Sequence, residues 1–226
     1  MLGSLTDQLI EFLFVIPCVL LALTVHEVSH GYMANILGDP TARNMGRLTL
    51  NPLKHLDPIG TLCMVFFHFG WARPVPINSR YFRHPKRDMA LTAAAGPISN
   101  FVMAFLGLLI QQILYKLFIT FPATTQFVFN LESAALTLFS YFHILNLSLG
   151  VFNLIPVPPL DGSRIFLIFL PQKLYFGIMK YERYIQLVLM LLLWLGFLND
   201  FLNMAVNAVS GGMSFIINLI PFLNFN

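Results

Sequence analysis

Residues 24–31 read Thr-Val-His-Glu-Val-Ser-His-Gly. On a helix, His26 and His30 stand four residues apart, so both imidazoles leave one face with Cβ atoms roughly 5–6 Å apart. That spacing suits two ligands of one zinc ion. Glu27 follows the first histidine, where its carboxylate can take a proton from a metal-bound water. The stretch has the form of a zinc-hydrolase core, although the same five letters on a soluble helix are as readily a chance match.

The surroundings separate those two readings. Residues 12–25 (FLFVIPCVLLALTV) are an unbroken apolar run leading straight into His26. Such a run belongs in lipid, and ionisable groups inside a membrane helix are costly unless they face a protein interior and bind something. The chain is 57% hydrophobic and 10% charged, against about 25% charged in soluble domains, so it reads as an all-α polytopic membrane protein. Its 226 residues leave room for four to six spans at ~20 residues each, in a single domain. The N-terminus has no Lys or Arg before the first apolar run and no small-residue cleavage site after it, so this segment is expected to be retained.

The elements that must position these residues follow in chain order. A first span over 8–37 carries the histidines toward its end, with Pro17 inside it, and Gly38-Asp39-Pro40 stops it. Eight of the thirteen Lys and Arg lie between Asp39 and Asp88, and four more are Arg164, Lys173, Lys180 and Arg183. The positive-inside rule therefore makes 39–88 and 161–183 cytoplasmic, with the N-terminus outside, and this charge pattern speaks of topology, not of nucleic acid. Within residues 41–80 a small β or re-entrant segment is expected: Arg47–Asn51 alternates, Arg73–Asn78 is extended by prolines, and the two are candidates for a hairpin. Between them, 59–70 is apolar but too short to span. A second span covers 89–119, where Ala93, Ala94, Ala95 and Gly96 permit close helix approach and Asn100 can hydrogen-bond across it. A third covers 133–155, with His143 and Asn146 on one face as interhelical hydrogen-bonding groups. One to three further helices lie within 163–226, including a span near 184–199, and the sequence leaves 201–226 open between a broken span and an interfacial helix. Cys18 and Cys63 form no Cys-x-x-Cys pattern and read as small buried apolar residues.

Two histidines on a mononuclear zinc need a third protein ligand and leave the fourth position to water. Among the acidic residues Asp161 is the best placed. It follows Pro156, Pro158 and Pro159, which break the third span near the membrane face that holds His26 and His30.

These residues resemble the site-2 proteases, intramembrane zinc metalloproteases that cut substrates within or near their transmembrane helices. The resemblance rests on His26–His30, on Gly96-Pro97-Ile98-Ser99-Asn100 and on Asn153 with Leu160-Asp161-Gly162, in the family's order over the first 165 residues. The segments 51–61 and 71–76 look like a compact subgroup without PDZ or CBS domains. The resemblance implies three core helices around one Zn2+ per chain, with His26, His30 and Asp161 as ligands and Glu27 as general base and acid. It implies Asn153 near the metal, where it and His55 are candidate oxyanion donors, with Asp57 able to orient the His55 ring. The expected substrate is a membrane protein with a transmembrane helix, in the bilayer of a cell membrane, with no nucleic acid partner and no readable oligomeric state. Two other functions compete. A metal-ion or proton transporter also carries intramembrane histidines and carboxylates, but has no need of a base at Glu27 and would be expected to show internal repeats. An inactive helix-binding relative needs none of His26, Glu27, His30 and Asp161.

Overall fold

In a computed structural model, residues 5–57, 60 and 73–223 are described. Among the described residues the α-helices include α1 (Leu5–Ile36), the single turn α2 (Thr41–Asn44), α3 (Pro85–Thr120), α4 (Gln126–Asn153), α5 (Asp161–Phe166), α6 (Gln172–Lys180), α7 (Glu182–Trp194) and α8 (Asn199–Asn218). Three of them, α1, α3 and α4, are long and apolar enough to cross a membrane. Only about a fifth of the most apolar 18 residues of each span is buried inside the protein: 22% in α1, 17% in α3 and 22% in α4. Helices so apolar yet so little covered are built to face lipid.

The three pack as a bundle through small residues. Gly96, Pro97, Ala93, Ala104 and Gly107 are buried along α3, and a Cβ at Gly107 would stand 2.7 Å from the Phe142 ring of α4. Where the driving force is packing and not water exclusion, such residues let backbones approach. Ala104 and Leu147 form a core with Val206 of α8, so the C-terminal helix lies against α3 and α4.

The helix ends follow local chemistry. Gly38 takes a φ of +106°, which only glycine adopts freely, and Asp39 N–H closes back onto Ala34 O at 2.9 Å. Helix α3 starts at Pro85, a residue suited to a first turn, four residues before the expected boundary. Helix α4 starts seven residues earlier than expected, because the Thr125 side chain caps it by accepting from Val128 N–H. It stops at Asn153, two residues early, ahead of Pro156. Residues 184–199 do not form one straight span. Helix α7 is 13 residues long and ends at Trp194, just before Gly196, whose φ is +74°, and α8 follows at a bend of 84°. As one broken span the pair would make a fourth crossing. Gly211 and Gly212 do not interrupt α8.

The expected hairpin between 47–51 and 73–78 is absent: the described residues contain no strand ladder there. Pro74 and Pro76 have no N–H to give. The segments meet instead through the buried Arg47 guanidinium, whose Nη2 donates to Arg73 O at 2.8 Å and Pro74 O at 3.4 Å. Asn78 N–H donates to Asp39 Oδ2 at 2.7 Å, which ties the far end of this strap to the end of α1. The apolar stretch 59–70, apart from Gly60, lies outside the described residues, as do Cys63 and His68.

Candidate metal centre

One turn of α1 separates His26 from His30, and their rings stand edge to face with centroids 4.5 Å apart. Both are buried among protein atoms in an otherwise apolar helix. Each Nδ1 meets an oxygen: His26 lies 2.6 Å from Asn100 Oδ1, and His30 lies 2.8 Å from Thr92 O. The carbonyl of Thr92 can only accept. The Asn100 amide is oriented by its nitrogen, which donates to Ala22 O at 3.3 Å and to Asn146 Oδ1 at 3.1 Å, so its oxygen faces His26. Both imidazoles, when neutral, therefore carry their proton on Nδ1 and aim the Nε2 lone pair inward.

The two Nε2 atoms are 3.0 Å apart. Asp161 Oδ2 completes a triangle with them, 3.1 Å from His26 Nε2 and 3.2 Å from His30 Nε2. Asp161 Oδ2 is buried with no hydrogen-bond partner. With both rings neutral, three acceptors thus converge on one point, an arrangement that repels itself unless a cation sits at its centre. Ligand atoms of a tetrahedral zinc at ~2.0–2.2 Å lie about 3.3–3.6 Å from one another, so a small opening of this triangle accommodates the ion. Among the described residues, His26, His30 and Asp161 are the group of His, Cys, Asp and Glu able to hold a metal. Three protein ligands leave a fourth position for water, the pattern of a zinc site that does chemistry.

The chain folds around this triangle in recognisable ways. Gly96 of α3 faces the imidazoles so closely that a Cβ there would stand 2.5 Å from His30 Nε2 and 2.6 Å from His26 Cε1. After α4, the prolines carry the chain back through a cis peptide before Pro159, and Asp161 opens α5. Gly162 presses onto the end of α4: a Cβ there would collide with Leu154 O. Ser163 Oγ donates to Leu160 O at 2.7 Å and fastens the turn.

Glu27 is half-buried and its Oε2 accepts from Val75 N–H at 2.7 Å. Val75 stands between two prolines, so this is the one backbone donor of its tripeptide. The structure therefore brings His26, His30, Asp161 and Glu27 together with the strap over 73–78. Asn153 sits at the end of α4, with its amide donating to Leu149 O at 3.0 Å. His55 is 1% exposed and its Nε2 donates to Thr49 O at 2.8 Å, which anchors the turn before it. Asp57 does not orient that ring: its Oδ1 accepts from Gly60 N–H at 2.8 Å, and His55 Nδ1 has no partner among the described residues. His143 bridges helices, as its span position suggests, through Ala104 O at 2.9 Å and Ser210 Oγ at 2.9 Å. Cys18 is buried and forms no disulfide, and its Sγ donates to Leu138 O of α4 at 3.8 Å.

The sequence reading gives Asn100 and Asn146 hydrogen bonding between helices and misses that Asn100 reaches His26, with Asn146 bonded behind it. The available signal was a pair of asparagines on adjacent apolar spans. Thr92 left no signal at all, because it contributes a backbone carbonyl.

Residues 14–196 match the profile of peptidase family M50. YwhC of Bacillus subtilis (strain 168), named a candidate zinc metalloprotease, is 42% identical over 152 residues, covering 67% of each chain. Rip2 of Mycolicibacterium smegmatis, named in the same way, is 29% identical over 157 residues, covering 67% of this chain and 55% of its own. Rip2 of Mycobacterium tuberculosis H37Rv is 29% identical over 158 residues with the same coverage. The match thus spans two thirds of the first relative and little more than half of the other two. No solved structure matches the chain.

Proposed function

The chain belongs to peptidase family M50, the zinc metalloproteases of the site-2 type, and from that footing we propose that it hydrolyses peptide bonds in or near the transmembrane segments of other membrane proteins. The observation that carries this reading is the triangle of His26 Nε2, His30 Nε2 and Asp161 Oδ2, three metal-ligand atoms converging beside Glu27. We assign those three as the zinc ligands, one ion per chain. Bound there, zinc supplies Lewis acidity toward a peptide carbonyl and lowers the pKa of its water to about 7. Glu27 takes the proton of the attacking water and returns it to the departing amine, with its carboxylate aimed by Val75 N–H.

Asn153 is the better of the two oxyanion candidates. Its amide spends one N–H on Leu149 O and keeps a second, whereas the His55 ring is enclosed and bonded to Thr49. The basic residues of 39–88 and 161–183 set these segments in the cytoplasm, with the N-terminus outside and the site opening to the cytoplasmic side. The substrate is a membrane protein whose helix must unwind to offer a peptide bond, since helical carbonyls are already hydrogen-bonded.

The deciding experiment measures zinc in detergent-purified protein together with cleavage of a single-span substrate in proteoliposomes. Wild type should hold one zinc and cut. Asp161→Ala should lose both, and Glu27→Gln should keep the zinc and lose cleavage. A wild type that takes up no zinc after reloading overturns the reading.

A further inference from the structure

The bonds behind His26 run in one direction across all three core helices. Asn146 Nδ2 of α4 donates to Phe142 O at 2.9 Å, which turns its Oδ1 toward α3. That oxygen accepts from Asn100 Nδ2 at 3.1 Å, which turns Asn100 Oδ1 toward α1, where His26 Nδ1 lies 2.6 Å away. Both asparagines are 0% exposed, so no water substitutes for a missing partner.

We propose that Asn146 is a positioning residue for the zinc site, acting through Asn100 to hold His26 in the tautomer that offers Nε2 to the metal. The proposal rests on the metalloprotease reading above and adds a residue that touches neither zinc nor a zinc ligand. The Asn100 amide has two possible orientations. In the observed one its nitrogen faces two acceptors, Ala22 O and Asn146 Oδ1, and its oxygen faces His26. Flipped, its nitrogen faces His26, the imidazole proton moves to Nε2, and the lone pair needed by the metal is gone. Asn146 supplies one of the two acceptors that forbid the flip. Because Asn146 stands on the helix that leads to Asp161, the same helix serves two ligands, one through the chain and one through this relay.

The test is zinc affinity of the full chain in detergent, by competition with a chromophoric chelator, and the d–d spectrum of the Co2+-loaded protein. Asn100→Ala should weaken zinc binding within the roughly 10–100-fold range found when a ligand's outer partner is removed, and Asn146→Leu by about tenfold. Both should alter the Co2+ bands. In the Asn100→Ala background, Asn146→Leu should add nothing, because its path to His26 is already cut. His143→Leu, which removes another buried polar bridge between α3 and α4, should leave zinc affinity and the Co2+ spectrum unchanged. If Asn146→Leu does not accumulate, Asn146→Ser replaces it: the serine oxygen lies one bond short of Oδ1 and cannot serve Asn100. Wild-type affinity in the Asn146 variant overturns the proposal, as does an equal loss in the Asn100→Ala background or in His143→Leu. A wild type that binds no zinc overturns the metalloprotease reading, and the proposal with it.

Discussion

Val75 N–H donates to Glu27 Oε2 at 2.7 Å, joining the strap over 73–78 to the glutamate of the HEVSH turn. The flanking prolines make this bond specific. Pro74 and Pro76 have no N–H, and Arg47 holds the carbonyls of Arg73 and Pro74 on the strap's other side. The strap is thereby clamped with a single donor toward Glu27.

Val75→Pro deletes that donor and leaves the metal ligands alone. The expected outcome is about a 10–100-fold fall in kcat, a part of what general acid–base catalysis contributes, with zinc content unchanged. Val75→Ala keeps the N–H and should retain most of the activity. Parallel zinc analysis and cleavage assays check both.

Gly96→Ala tests the cradle of the imidazoles. Its Cβ would stand 2.5 Å from His30 Cε1 and 2.6 Å from His26 Cε1, and neither ring can retreat without leaving its Nδ1 partner. Zinc binding should weaken by about 10–100-fold, as when a ligand's orienting partner is lost, and cleavage should fall with it. Gly212→Ala is the control. A Cβ there meets nothing within 4 Å, so its effect should be confined to helix propensity, a gain of about 1 kcal/mol. Chelator competition and melting temperature distinguish the two variants.

How much of this was legible in the sequence depends on whether the information was local. His26 and His30 are one helical turn apart, so their shared face could be read directly, and the proline run made Asp161 a candidate. The spans were legible as apolar runs, but α4 begins at a Thr125 cap beside Thr124 and Gln126, and the polar Gln126, Asn130 and Glu132 of its first two turns read as connection. The strap was misread as half of a hairpin, since extended prolines fit a strand pattern while their missing N–H groups prevent a ladder. Asn100 reaching His26 was not legible, because it depends on the rotation of α3 against α1. Gly96 was read as a packing residue, and only the three-dimensional arrangement shows what it packs against.

Ser210→Ala tests whether α8 is held by its polar contact or by packing. Its hydroxyl lies 2.9 Å from His143 Nε2, beside a core of Ala104, Leu147 and Val206. Interhelical hydrogen bonds in membranes are worth about 0.6 kcal/mol on average, so thermal stability should drop only slightly. Zinc affinity should be unchanged, since His143 has no bond to the relay behind His26. A large destabilisation would mean that the hydroxyl, and not the apolar core, seats the helix.

Metal removal should cost the fold as well as the activity. Without a cation, His26 Nε2, His30 Nε2 and Asp161 Oδ2 face one another at 3.0–3.2 Å, and α1 and α5 are pushed apart where zinc would draw them together. An ion that binds only the folded chain stabilises it by about 4 kcal/mol when free metal stands a thousandfold above its dissociation constant. Stripping with a strong chelator should therefore abolish cleavage and lower the melting temperature measurably, and added Zn2+ should restore both. Asp161→Ala should melt at the same temperature with and without chelator, because it no longer holds the ion. If chelator shifts the variant as much as the wild type, the stabilising metal lies elsewhere in the chain.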